Sequence, residues 1–111
     1  LRSVHGRSRT EIYAVGGDES GAVLRWDGER WSHFALVYMP PLHAVFAGGS
    51  GVWVCGDEGY LARWDGQRWI EIATGAGVAL TGAYEQQGDL FVTGGNILDT
   101  AASGFVARYG E

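Results

Sequence analysis

Three groups of side chains in this chain are suited to recognition or catalysis. The five tryptophans Trp26, Trp31, Trp53, Trp64 and Trp69 are flat apolar plates with a polar edge, the kind of surface on which a sugar ring stacks. Arg25, Arg63 and Arg108 each precede an aromatic residue, and a guanidinium in that place either holds a carboxylate or stacks on a neighbouring ring. Carboxylates gather in Gly-bearing stretches: Asp18 with Glu19, Asp57 with Glu58, and Asp99. Their oxygens suit a Ca²⁺ ion or a basic protein patch. Asp99 follows Ile97 and Leu98, two apolar residues in a loop, as expected of a segment that docks on a partner. Tyr38 and Met39 form a similar apolar pair, expected to be exposed, ahead of Pro40-Pro41. His5, His33 and His43 lack metal-ligand spacing, and there is no Ser–His–Asp order, phosphate-binding Gly loop or zinc motif. No catalytic residue, metal or cofactor is therefore assigned, and the chain is expected not to be an enzyme.

The positions of these residues are set by a repeat. Gly21-Ala22-Val23-Leu24-Arg25-Trp26-Asp27-Gly28-Glu29-Arg30-Trp31 returns as Gly59-Tyr60-Leu61-Ala62-Arg63-Trp64-Asp65-Gly66-Gln67-Arg68-Trp69. A third copy runs Gly104-Phe105-Val106-Ala107-Arg108-Tyr109-Gly110 and stops before its second Trp. A period of roughly forty residues is the mark of a repeat architecture. The copies start at Leu1, Leu42 and Leu80, giving units 1–41, 42–79 and 80–111. Each opens with a short strand (Leu1–His5, Leu42–Phe46, Leu80–Tyr84), followed by an apolar run closed by Gly (Ile12–Gly16, Val52–Gly56, Leu90–Gly94). Such runs are strands buried on both faces. The third strands are Ala22–Trp26, Tyr60–Trp64 and Phe105–Tyr109. Asp27-Gly28 and Asp65-Gly66 are hairpin turns leading into fourth strands Arg30–Leu36 and Arg68–Ala73. Nineteen glycines, two prolines and no helical period complete an all-β reading.

Four short antiparallel strands in about forty residues make one β-propeller blade. Ile12-Tyr13-Ala14-Val15-Gly16-Gly17, the aromatic Trp26 and Trp31 resemble a kelch-type blade, and the Asp-Gly-x-x-Trp turn is also similar to Asp-box and bacterial propeller repeats. Copy three keeps Gly94-Gly95 and Tyr109; copy two has Gly56-Asp57, and two copies carry Trp where kelch repeats have Tyr. In that register the tryptophans and arginines are packing elements. Arg2, His43 and Thr81 share one place on the innermost strand, where they would line a central channel. Loops bearing Asp18, Glu19, Asp57, Glu58 and Ile97–Asp99 would share one face of the disc with the connection through Tyr38.

Three blades do not close a ring, which takes about four to eight. Two copies would supply six, so the chain is expected to be half of a six-bladed homodimeric ring; the alternative is that further blades belong to a longer chain. The absence of an initiator Met and of a signal peptide fits a processed product or an excised piece. Eight basic against 13 acidic residues give a net charge of −5, which argues against nucleic acid. No apolar run suits a membrane helix. The lone Cys55 falls inside a strand and reads as a buried small hydrophobe. The expected role is a non-catalytic scaffold that binds a partner or ligand, protein or glycan, through loops on one face. The alternatives are a glycan-binding propeller, with Trp53 as the ring to test, and a piece of a propeller hydrolase or lyase.

Overall fold

A computed structural model of the chain describes residues 1–34, 38–48, 51–72, 79–86, 89–94 and 105–109. Those residues form eleven β-strands and no α-helix. The first sheet is an antiparallel meander of β1 (Ser3–Ser8), β2 (Glu11–Gly16), β3 (Ala22–Trp26) and β4 (Trp31–His33). The second repeats it with β5 (Leu42–Gly48), β6 (Gly51–Gly56), β7 (Leu61–Trp64) and β8 (Trp69–Glu71). The third has β9 (Leu80–Gln86), β10 (Asp89–Gly94) and β11 (Phe105–Tyr109). The fourth strands are shorter than the sequence suggests. β4 and β8 pair on one side only, and just beyond them single N–H groups still reach back: Phe34 to Val23 O at 2.8 Å and Ile72 to Leu61 O at 2.8 Å.

The turns into those strands explain the Asp-Gly pairs. Asp27 Oδ1 accepts the N–H groups of Glu29 (2.8 Å) and Arg30 (2.9 Å), and Asp65 Oδ1 accepts those of Gln67 (2.8 Å) and Arg68 (2.9 Å). Positive φ falls on the glycines alone, 103° at Gly28 and 105° at Gly66. Asp serves as the acceptor and Gly as the hinge. These bonds, led by the N–H of Arg30 or Arg68, hold both carboxyls below the ordinary carboxylate range. A carboxyl lowered in the folded state stabilises fully above its unfolded pKa, and that support is lost as pH falls through the folded value. Acid unfolding followed by circular dichroism should therefore depend less on pH below about 4 in an Asp27→Asn/Asp65→Asn variant than in the parent.

The core lies between sheets. β6 alternates strictly, with Val52 and Val54 facing the first sheet and Trp53 and Cys55 facing the third. Against the first pair pack Tyr13, Val15 and Val23; against the second pack Leu80, Leu90 and Val92. The second sheet is thus buried on both faces, which is why its central strand is apolar throughout. Each fully buried aliphatic side chain here is worth about 1.5–3 kcal/mol. Burial pushes the Cys55 thiol up to about 12, leaving it protonated and unreactive, as its place in a strand suggests.

The first strands of the three sheets are joined by side chains. Ser3 Oγ accepts the Val45 N–H (3.3 Å) and His5 Nδ1 accepts the Ala47 N–H (2.9 Å), so a neutral His5 carries its proton on Nε2. The His5 ring stacks on Phe46 at 4.5 Å, and Phe46 meets Tyr84 at 5.1 Å. One ring comes from the same place in each repeat, forming a ladder across β1, β5 and β9. Gly16, Gly56 and Gly94 also share a place. A Cβ at any of them would strike the backbone where the chain enters the first strand of its sheet: Leu1, Pro41 with Leu42, or Ala79 with Leu80.

Candidate functional site

The loop between β2 and β3 of the first sheet and the loop between β6 and β7 of the second both meet the connection between those sheets. The Gly21 N–H donates to Met39 O at 2.6 Å, and the Asp57 N–H donates to Pro41 O at 3.0 Å. Asp18, Glu19 and Glu58 are exposed around this seam, Glu58 with a left-handed φ of 57° in a single 3₁₀ turn, Asp57–Gly59. Tyr38 projects outward, 78% exposed. Met39, expected to be exposed beside it, is fully buried. Its carbonyl is fixed by Gly21 while its side chain fills the core between the first two sheets. Ile97, Leu98 and Asp99 lie outside the described residues.

The set expected to line a channel divides. Thr81 and Arg2 are exposed, and the Arg2 N–H donates to Val15 O at 2.7 Å. His43 instead bonds Asp57, Nε2 to Oδ1 at 2.6 Å, with 18% of its side chain exposed. The register shifts between Leu42 and Ala44, so two residues of β5 face one of β6, and the bulge accompanies the turn of His43 toward the loop. Thr81 occupies the corresponding shift in the third sheet. His43 and Asp57, placed in separate groups by sequence, are one hydrogen-bonded unit.

A cleft of about 460 Å³ opens beside this seam, between the first and second sheets. Phe34, Tyr38, Tyr60, Trp64 and Trp69 supply its aromatic lining, and Gln67, Arg68 and Glu71 its polar rim. Phe34 stands edge-on to Trp64 (5.0 Å, 69°) and Trp69 (6.0 Å, 78°), while the two indoles are 5.6 Å apart. Trp69 Nε1 is buried and has no hydrogen-bond partner, the one such side-chain nitrogen or oxygen among the described residues. Burial first, and the Glu71 carboxylate second, raise the Tyr60 phenol above its ordinary pKa. A smaller recess of about 220 Å³ includes Arg7, Glu11 and Tyr13. There Tyr13 Oη donates to Glu11 at 2.7 Å and Arg7 lies 3.6 Å from the same carboxylate, so its polar groups already serve one another.

Sequence reasoning missed Phe34, Trp64 and Trp69 as walls of a cleft. Register explained the indoles as packing, which they also do, and Phe34 stands where the second repeat has Ile72, outside the repeated motif. That departure from the repeat was the available signal. Trp53 is only 8% exposed, with the Arg63 guanidinium carbon 5.7 Å from its ring centre, so it is a core ring and no ligand platform. Among the described residues, no three His, Cys, Asp or Glu side chains converge as a metal site, and no helix is long and apolar enough to cross a membrane. No family model matches this chain, and neither the curated proteins nor the solved structures yield a match.

Proposed function

We propose that the chain is a non-catalytic β-propeller interaction module whose three sheets are blades, two copies closing a six-bladed ring. The kelch-like likeness of its repeats belongs to the same reading. The observation that carries it is an equivalence of faces. Trp64 and Trp69 on the second sheet, 5.6 Å apart, are covered by Phe34 of the first. Trp26 and Trp31, 5.7 Å apart at the same repeat position, have no such cover within the described residues, and Trp31 is 47% exposed. Val4 of the first sheet, in the place of buried Val45, is 63% exposed, and Tyr84 of the third, in the place of half-buried Phe46, is 56% exposed.

The outer faces of the first and third sheets are therefore the two faces that the second sheet buries. Apolar faces of this kind mark an interface, and a head-to-tail junction made twice about a two-fold axis closes without leaving one open. The ring would present Asp18, Glu19, Tyr38 and Glu58 toward a partner, and acidic loops on a chain of net charge −5 suit a basic protein surface. Sedimentation equilibrium tests the assembly. The expected mass is twice the 11.9 kDa of the chain, falling to one chain in a Val4→Asp variant. A monomeric parent would overturn the homodimer and assign the open faces to further sheets of a longer protein.

A further inference from the structure

We infer that the aromatic cleft between the first two sheets is a binding site for a single neutral pyranose ring. The site lies within one chain, so it holds whether or not two copies close a ring. Its volume falls at the small end of the range for small-molecule pockets, which are mostly apolar with a few convergent polar groups. Tyr38 is an exposed ring of its lining, and Trp64 and Trp69 are half-buried ones. The C–H face of a pyranose is apolar and mildly positive at its hydrogens, matching the negative face of an aromatic ring. The hydroxyls around its rim both donate and accept. Arg68 offers donors and Glu71 offers acceptors at the mouth, so either orientation of a vicinal diol finds a partner.

Trp69 Nε1 is buried, so that indole would meet a ligand through its ring and not through its N–H. Phe34 holds both indoles edge-on, so the wall exists before ligand arrives. A cationic ligand fits less well: the rings would attract it, but the Arg68 guanidinium on the rim opposes it.

The test uses methyl pyranosides of the common hexoses and N-acetylhexosamines, titrated calorimetrically and by tryptophan fluorescence, with tetramethylammonium chloride as the competing probe. At least one pyranoside should bind with submillimolar Kd and shift tryptophan emission. Tyr38→Ala, which removes an exposed ring, should weaken it about tenfold or more, with circular dichroism, melting temperature and solution mass unchanged. Trp69→Phe, which replaces the indole by a smaller ring and shrinks the aromatic wall, should weaken binding by a few-fold. Failure of every pyranoside, binding unmoved by Tyr38→Ala, or binding of tetramethylammonium alone would each overturn the proposal. Because mass is recorded on the same samples, failure of the sugar site stays distinct from failure of the ring.

Discussion

A single methyl group at Gly56 should destabilise the fold by about 2–4 kcal/mol, an overpacking cost at the upper end because the obstacle is backbone. The φ of Gly56 is −168°, outside the left-handed region that favours glycine, so the argument rests on the space its Cβ would need. Its Cβ would collide with the Pro41 carbonyl oxygen and lie 2.9 Å from Leu42 Cα. Neither atom can rotate away as a side chain would. The neighbouring Asp57 N–H is bonded to the same Pro41 carbonyl at 3.0 Å, so relief at Gly56 would also pull on the His43–Asp57 pair. Urea unfolding of Gly56→Ala should show a lowered midpoint with an unchanged slope. An unchanged midpoint would mean that the entry to β5 is far softer than the packing implies.

Trp53→Ala should cost about 3–5 kcal/mol, the range for deleting a large buried aromatic. The indole is 8% exposed and packs with Cys55 and Leu61 against Leu80, Leu90 and Val92, so it joins the second sheet to the third. Its removal also takes away the plate under Arg63, worth about 0.5–1 kcal/mol at a partly exposed site. Phe91 occupies the equivalent place on the third sheet and is 37% exposed. Thermal unfolding of Trp53→Ala should lose cooperativity as well as midpoint, because the third sheet has lost its main contact. A loss below about 1 kcal/mol would contradict the placement of Trp53 as the central ring of that core.

Much of this architecture was legible in the sequence because strands here are marked by chemistry of short range. Val52-Trp53-Val54-Cys55 reads as a strand buried on both faces, and it is one. Asp27-Gly28 and Asp65-Gly66 read as turns, and the carboxylates close them. What stayed hidden depends on how one sheet sits on the next. Met39 looks like an exposed loop residue until the Gly21 bond turns it inward. His43 and Asp57, 14 residues apart, meet only because a bulge in β5 reorients one of them. The aromatic cleft needs Phe34 from one sheet and Trp64 with Trp69 from the next, and no spacing in the sequence encodes that meeting. Tyr38 was singled out as a loop residue; its part in that cleft was not.

The proposed head-to-tail ring makes a demand that a cross-linking experiment addresses directly. Phe46 and Ala83 pack around one core cluster at the junction of the second and third sheets. Their repeat equivalents at the open junction are Tyr84 of one copy and Val4 of the other. On a Cys55→Ala background, chains carrying Val4→Cys and chains carrying Tyr84→Cys are refolded together and treated with a short thiol cross-linker. A two-chain product in the mixture, and none from either variant alone, is the result expected of a closed ring. Cross-linking of Val4→Cys chains to one another, or no product from the mixture, would contradict it.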